Sequence, residues 1–339
     1  MESRLRHTLR CKAIALACVL AAFCPVLALG QSDPLYTQAW MLPSLYNPAA
    51  SGSTDWLRIR GAARLQWVGI ENAPKSFTGA ADIPFRLIGR RWGAGVNITQ
   101  DEIGLFSNTY VNGQLSGRLK RLFGGDLTIG LQVGYFGSSF KGSEVYIPDD
   151  DDYHDSNDPS IPTQDVGGGT IDFGIGLRYV HPKFHVGVSV LHPAAPKVKL
   201  NTKGTSSSSA TSDNHEFETY VNRTFYLTAG SNITIKNTLI ELQPDLIVAS
   251  DLKSFSGVLS LKGWYNKMFF GGVAYRWDDA VGINLGAEFK NFVLGYSYDI
   301  PTSRILKASS GSHELTVGYR LKLDFSGKNR HRHRSIRLM

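Results

Sequence analysis

After residue 30 the sequence contains no cysteine and no apolar run long enough to cross a bilayer as a helix. The three cysteines, Cys11, Cys18 and Cys24, all precede that point. The rest of the chain can therefore form no disulfide, thiolate nucleophile or cysteine metal site, which excludes a thiol enzyme. A large exported protein without disulfides must be stable by other means, and a closed β-sheet is one such means.

Excess positive charge is confined to the two ends of the chain. The whole chain has a net charge of +7, of which residues 1–30 carry +3 and residues 326–339 carry +5. The body between them is therefore close to neutral, at −1. A nucleic-acid-binding protein needs a basic face that follows the phosphate backbone, and a neutral body lacks one. No nucleic-acid partner is expected.

The first thirty residues have the pattern of a cleaved export signal. Basic residues in the first twelve positions precede an apolar run over residues 13–29, and Ala28-Leu29-Gly30 offers small residues for cleavage. A lipoprotein signal is the alternative, because Cys18 and Cys24 lie in the apolar run. Phe23 is too large for the residue before a lipidated cysteine, and Cys18 comes too early in the run. We predict a signal peptide over residues 1–30, and therefore export.

Alternation of apolar and polar residues at every second position is the dominant pattern after residue 54. In the first alternating segment Arg58, Arg60 and Arg64 share one face, and Ile59 lies with apolar neighbours on the other. The alternating segments are about ten to twelve residues long, which suits tilted membrane-crossing strands better than the shorter strands of soluble sandwiches. The 35 glycines and 11% aromatic residues also fit many short strands better than helices.

The connections between these segments alternate in length. His181-Pro182 and Lys290-Asn291 are short, whereas 139–168 and 192–219 are long and polar. Short turns on one side and long loops on the other are typical of outer-membrane barrels, and an even strand number places both chain ends on the periplasmic, short-turn side. Only the segment near 239–248 alternates poorly, since it contains Pro244. The predicted strands are 55–67, 76–85, 91–100, 107–118, 125–138, 169–180, 183–191, 220–235, 239–249, 254–265, 268–277, 280–289, 291–299 and 312–325.

These observations predict an all-β fold, a transmembrane outer-membrane β-barrel of about 14 antiparallel strands. A sheet with a lipid-facing side cannot leave an open edge in hydrocarbon, so the first and last strands must pair. A soluble sandwich or fimbrial array would explain the alternation, but not the asymmetry of the turns or the terminal aromatic Phe325. Aromatic residues at strand ends, including Trp67 and Trp277, suit the interfacial girdles of such a barrel.

Three groups of polar residues invite a chemical interpretation, and none fits one. The acidic run 149–155 lacks the ligand spacing and glycine of a calcium loop, which favours a solvated surface loop. His185 and Ser189 share a strand face, but residues four apart on a strand are about 13 Å apart, too far to share a proton. His331 and His333 lie in a basic tail. We predict no catalytic residue, no cofactor and no metal site, and thus a protein that is not an enzyme.

Charged residues on the polar strand faces are candidates for the lining of the barrel lumen. They could line a solute channel, or they could form a salt-bridged lattice that fills the lumen and anchors a plug. Both alternatives are open at this point. The candidate lining residues are Arg58, Arg60, Arg64, Asp172 and Arg178.

Residues 31–54 precede the first strand and are too apolar to remain free in water. Their prolines forbid a long helix, so we expect them to fold into the lumen or to cap its periplasmic mouth. The domain boundaries are then a signal peptide (1–30), a periplasmic plug or cap segment (31–54), a transmembrane β-barrel (55–325) and a basic periplasmic tail (326–339). Candidate plug or partner-binding residues are Tyr36, Gln38, Trp40, Tyr46, Asn47 and Pro48.

The start of that segment resembles a known family. The sequences QSDPLYTQ at 31–38 and LYNPAASG at 45–52 are similar to the opening of the PorP/SprF family of type IX secretion and gliding systems. The likeness continues in order to the end of the predicted barrel, whereas the long loops and the basic tail depart from it. The further similar pieces are RLQWVG (64–69), APK (73–75), DEIG (101–104), DFGIG (172–176), GYSYD (295–299) and SGSHEL (310–315).

The resemblance implies an outer-membrane component of the type IX secretion and gliding machinery of a Bacteroidetes-type bacterium. Such a component would support export or surface anchoring of specific cargo proteins such as adhesins. Its implied partners are periplasmic lipoprotein ring components and the secreted cargo, beside outer-membrane lipid, with no small-molecule substrate. The alternative from a different class is a passive porin-like channel for small solutes.

Overall fold

The structure is a computed structural model in which residues 33–145, 162, 164–202 and 217–323 are described. Short helical turns occupy Ala39–Met41, Pro43–Tyr46, Pro48–Ala50, Gly142–Glu144 and Arg304–Lys307. No helix in these ranges is long and apolar enough to span a membrane. The strands are β1 (Trp56–Leu65), β2 (Lys75–Leu87), β3 (Arg90–Ile103), β4 (Phe106–Leu122), β5 (Gly125–Phe140), β6 (Val166–Val180), β7 (Phe184–Leu191), β8 (Lys197–Thr202), β9 (Phe217–Tyr220), β10 (Thr224–Ser231), β11 (Ile233–Thr234), β12 (Ile240–Ser250), β13 (Phe255–Tyr265), β14 (Phe269–Arg276), β15 (Ala280–Phe289), β16 (Phe292–Pro301) and β17 (Ser312–Lys322).

Fourteen of these strands form one closed antiparallel barrel, as the sequence predicted. The barrel contains β1–β7, β10 and β12–β17, and β1 pairs with both β2 and β17. The closing register runs from Trp56 opposite Lys322 to Leu65 opposite His313. Every barrel strand therefore has a neighbour on each side, and no strand edge is left to hydrocarbon. The predicted signal peptide, the acidic run 149–155 and the tail with Phe325 lie outside the described residues.

Burial on this barrel is inverted relative to a soluble protein. Leu131 on β5 is 55% exposed, whereas its neighbour Gln132 is 2% exposed. Successive strand residues point to opposite faces, so the apolar residues cover the outside and the polar residues fill the lumen. The buried charged side chains of the strands are Arg58, Arg64, Asp82, Asp101, Asp172, Lys262, Arg276, Asp299 and Glu314.

The two ends of the barrel differ in the length of their connections. We call one end the short-turn rim, because neighbouring strands join there through connections such as 88–89, 123–124 and 290–291. The other end is the long-loop rim, which includes 141–165, 192–223 and 302–311. The asymmetry agrees with the outer-membrane pattern, in which the short turns are periplasmic.

Pro244 lies inside β12 without breaking it. On one side β12 pairs along its whole length with β13, where Pro244 faces Leu261. On the other side β10 pairs only from Asp245 onward and β11 only up to Leu242. Pro244 therefore lies in the gap between two pairings, where no partner strand needs the N–H that proline lacks.

Three details of the sequence prediction are wrong. The segment 192–219 contains the strands β8 and β9, whose apolar side chains Val198 and Leu200 are buried with Tyr110 and other residues above the long-loop rim. Strands β4, β5 and β6 have 17, 16 and 15 residues, so they extend beyond the predicted length of ten to twelve. Trp67 lies beyond the end of β1 with a positive φ of 51°, because the chain turns there into the next loop.

The inverted burial predicts opposite effects of one substitution at adjacent positions of β13. Leu261 lies on the outer face at 48% exposure, and Ser260 is buried on the lumenal face. Arginine at a lipid-facing midspan position costs about 2–4 kcal/mol, whereas a polar lumen accepts it. We expect Leu261→Arg to reduce the amount of heat-modifiable barrel in the outer membrane severalfold, and Ser260→Arg to reduce it little. Equal yields of the two variants would contradict the assignment of the faces.

Candidate functional site in the barrel lumen

Residues 33–54, which we call the lumenal segment, run inside the barrel from the long-loop rim to the start of β1. The segment contains three of the short helical turns, and Pro43 and Pro48 begin two of them. Proline suits a first helical position but cannot continue a preceding helix, so the segment forms separate short turns instead of one long helix. The Asn47 side chain caps the third turn by accepting the Ala49 N–H at 2.9 Å.

One part of the segment is bound to the barrel where the barrel closes. The Arg64 guanidinium on β1 contacts Asp299 on β16 at 2.7 Å and Glu314 on β17 at 3.1 Å. The two Glu314 carboxylate oxygens also accept the backbone N–H groups of Thr37 and Gln38, both at 2.7 Å. Hydrogen bonds to ionised groups are stronger than neutral ones, and this network is buried. The carboxylate of Glu314 therefore joins the wall to the segment.

A second ion pair holds the other end of the segment. Arg58 on β1 makes a bidentate contact with Asp82 on β2, at 2.7–3.0 Å. The same guanidinium donates to the Ala50 carbonyl at 2.8 Å, and Asp82 accepts the Gly52 N–H at 2.8 Å. Arg60 donates to the carbonyl oxygen of Met41. Backbone groups of the segment are thus satisfied by charged side chains of the wall, as buried backbone groups require.

The apolar side chains of the segment form the core of the lumen. Tyr36, Leu42 and Tyr46 are almost fully buried. Trp40 packs edge-on against Phe270, with ring centroids 5.2 Å apart, and Lys262 Nζ lies 4.1 Å from the centre of its ring. Burying these side chains in the lumen removes apolar surface from water, which stabilises the position of the segment.

Glycines of the wall allow the segment to approach the strands closely. A Cβ atom at Gly130 on β5 would overlap Pro48 and Ala49, and a Cβ atom at Gly176 on β6 would overlap the Asn47 side chain. Across that glycine surface the Asn47 amide donates to the carbonyl oxygens of Leu177, at 3.0 Å, and Val188, at 3.3 Å. These glycines are therefore required by the packing of the segment against the wall.

The beginning of the segment is bound by a buried histidine at the long-loop rim. His192, directly after β7, lies between Asp172 at 2.6 Å and Asp33 at 3.0 Å. Tyr226 donates to the same Asp33 carboxylate at 2.7 Å. No group of three or more side chains suited to a metal ion occurs among the residues that the structure describes. The hydrogen bonds and charges of Asp33, Asp172 and His192 hold the beginning of the segment at this rim.

Each candidate residue of the lumenal segment and of the lumen lining lies in or around the lumen. Tyr36 bonds to Thr78, Gln38 accepts a hydrogen bond from Thr316, and the other candidates of the segment contact the wall as described above. Asp172 and the three arginines of β1 belong to these networks, whereas Arg178 borders a cavity nearby. Whether the segment plugs the barrel or binds a partner stays a prediction.

The sequence analysis did not single out Asp33, His192 or Glu314 as site residues. Glu314 could have been found, because it follows the alternation of the last strand on its polar face and the closing strand pairs with Arg64. His192 had no such signal, since it follows the end of a strand in a long loop and only the fold brings it to Asp33.

The close approach at Gly130 predicts how the segment can be displaced. Gly130→Leu adds a side chain where Pro48 and Ala49 lie, so we expect residues 47–52 to leave the wall. Ser51→Cys introduces the one cysteine after residue 30, and its reaction with a polyethylene glycol maleimide reports the displacement. We expect little labelling in the parent barrel and labelling at least several times faster with Gly130→Leu. The control Gly79→Leu adds its side chain on the outer face, where a Cβ atom meets nothing within 4 Å. Equal labelling in all three backgrounds would show that the close approach does not hold the segment.

Solved structures of outer-membrane proteins are similar to this chain at low sequence identity. The TodX deltaS2S3 mutant monoaromatic hydrocarbon channel is 10% identical, with a TM-score of 0.48 over 87% of this chain and 97% of that chain. A Pseudomonas aeruginosa FadL homologue is 10% identical, with a TM-score of 0.46 over 87% of this chain and 96% of that chain. The outer-membrane protein Omp33 of Acinetobacter baumannii is 7% identical, with a TM-score of 0.40 over 78% and 97% of the two chains.

No curated protein matches the sequence significantly. A family model does: the one described as type IX secretion system membrane protein PorP/SprF matches residues 28–319. The match covers the lumenal segment and nearly the whole barrel, as the resemblance of the short sequences implied. The chain therefore belongs to the PorP/SprF family of type IX secretion system membrane proteins, and it is a β-barrel of the outer membrane.

Proposed function

We propose that this barrel supports the export or surface anchoring of specific cargo proteins, such as adhesins, as an outer-membrane component of type IX secretion. In this proposal the lumenal segment is the part of the barrel on which cargo export depends, and it blocks passive flow of small solutes. The partners are periplasmic lipoprotein ring components and the cargo itself, and the barrel catalyses no reaction.

The main support for this proposal is the number of directions from which the segment is bound. Its contacts with Thr78, Asn97 and Gln114 reach β2, β3 and β4 on one side of the lumen. Its contacts with Leu177 and Arg276 reach β6 and β14 on other sides. A passive porin needs a continuous aqueous lumen, and a segment bound to strands around the circumference opposes one.

The path of the segment further supports a role in contact with partners. Asp33 lies at the long-loop rim and Gly52 lies near Arg118 towards the short-turn rim, so one continuous piece of chain connects the two mouths. A periplasmic partner and a surface cargo meet opposite rims of an outer-membrane barrel. A segment that extends to both rims can be contacted from either side, whereas the strands between them face lipid and lumen.

Deletion of residues 33–52 is the decisive experiment for this proposal. We expect the barrel to assemble, because no barrel strand is lost and the ion pairs of Arg58 and Arg64 with wall carboxylates remain. Export of the cognate cargo is expected to fall at least tenfold in a secretion assay, and conductance of the purified protein in planar bilayers is expected to rise. The matched control replaces residues 33–52 with a glycine–serine sequence of equal length, which keeps the length of the chain but removes its contacts.

Four outcomes separate the alternatives. Loss of export with both variants, although both are in the outer membrane, supports the proposal. Normal export by the deletion variant would remove the segment from any role in secretion. A steady open pore formed by the parent protein would favour the porin-like channel. Co-purification of ring proteins or a large adhesin with the parent protein, weakened by the deletion, would identify the segment as a partner-binding site.

A further inference from the structure

A cavity of about 290 Å³ lies in the lumen beside the lumenal segment. Several of its lining residues lie in the half of the barrel next to the short-turn rim: Arg58 is near the start of β1, Arg178 near the end of β6 and Gln243 near the start of β12. A volume of this size is at the lower limit of small-molecule sites, which implies a ligand of metabolite size.

The lining of this cavity has more cationic than anionic groups. Arg58, Arg60, Arg178 and Lys262 border it, whereas Asp245 is the one carboxylate that does. Asp245 is already paired with Lys262, and Arg58 is paired with Asp82 behind the lining. Two guanidinium groups, those of Arg60 and Arg178, therefore remain without a carboxylate within salt-bridge distance among the residues that the structure describes.

These two arginines also keep unused donors. Arg60 donates to a neutral partner, the Met41 carbonyl, and the buried Nε–H of Arg178 has no hydrogen-bond partner in the described part of the chain. An arginine carries five donors in a planar fork that matches carboxylate and phosphate oxygens. Unpaired buried charge is costly, so a site with two such groups strongly favours an anion.

Apolar side chains also line the cavity. Trp40, Ile247 and Val258 border it together with the polar side chains of Gln243 and Ser260. Trp40 is held in place by its packing on Phe270, so it offers a rigid aromatic surface next to the cationic groups. Small-molecule sites commonly combine an apolar surface with a few convergent polar groups, and this cavity has that composition.

We propose that this cavity binds a small organic oxyanion, a carboxylate or phosphate attached to a short apolar group. The anionic group pairs with Arg60 and Arg178, and the apolar group packs on Trp40 and Ile247. The ligand enters from the periplasmic, short-turn side, where the cavity lies. This inference does not depend on the role of the barrel in secretion, because it follows from the charges and shape of the lining.

Titration calorimetry on the detergent-purified, full-length barrel tests the proposal with three probes. Benzoate and phenyl phosphate carry the two anionic groups on the same ring, and benzyl alcohol is their neutral counterpart. We expect at least one anion to bind at least about tenfold more tightly than benzyl alcohol, since a charge-assisted hydrogen bond contributes about 1.5–3 kcal/mol. Comparison of benzoate with phenyl phosphate shows which oxyanion the site prefers.

Substitutions assign the binding to the cavity. Arg60→Gln and Arg178→Gln are each expected to weaken the anion at least about tenfold, by removing one charge-assisted contact. Arg304→Gln, in a long-loop turn away from the cavity, is the matched control and should leave the affinity unchanged. Because Arg178 forms no salt bridge with any residue that the structure describes, we also expect Arg178→Gln to keep the heat-modifiable barrel and to unfold at a temperature no lower than the parent.

Three binding results would overturn the proposal. They are no binding of either anion to folded parent protein, equal binding of benzyl alcohol, and affinities unaffected by both cavity substitutions. A markedly lower unfolding temperature of Arg178→Gln without ligand would show that Arg178 is structurally satisfied, and would likewise contradict an anion site at this position.

Discussion

Hydrocarbon offers no hydrogen bonds to the edge of a strand, so this sheet must close on itself, and it closes where β1 pairs with β17. The register of that seam sets Arg64 directly opposite Glu314, and Asp299 on the neighbouring β16 reaches the same guanidinium. Because Glu314 also accepts the amides of Thr37 and Gln38, closure of the barrel and attachment of the lumenal segment use one carboxylate. A barrel that closed in another register would separate these groups.

The arrangement of the other charged side chains in the lumen is explained by the free-energy cost of burying an unpaired charge. Most inward ions are paired across neighbouring strands, as Arg58 is with Asp82 and Lys262 with Asp245. The lumenal segment supplies backbone carbonyls and amides that use further hydrogen-bonding capacity of the same side chains. The segment thus completes a polar network that the barrel wall leaves incomplete. Near the short-turn rim the segment no longer fills the lumen, and Arg60 and Arg178 border a cavity there.

The barrel could be predicted from the sequence because its physics is local and repetitive. The side chains of every strand must alternate between lipid and lumen. Each short turn interrupts that alternation, so the strands can be counted in the sequence. Pro244 obscured one strand, and only the pairing pattern shows that it lies between two partners. The strands β8 and β9 were not predicted, because their apolar residues pack near Tyr110 above the barrel and away from lipid. They are therefore not required to alternate as membrane-crossing strands do.

The sequence by itself determined that the protein is an exported outer-membrane barrel of fourteen strands, which candidate arginines point into the lumen, and the family. It determined them because alternation, turn length and short similar sequences are readable along the chain. Only the tertiary structure decided that the residues after Asp33 lie inside the lumen, that His192 lies between Asp33 and Asp172, and that the Arg178 Nε–H has no hydrogen-bond partner in the described part of the chain. The physical reason is that the contact between Asp33 and His192 joins residues 159 positions apart, and barrel closure in one register decides which distant residues meet.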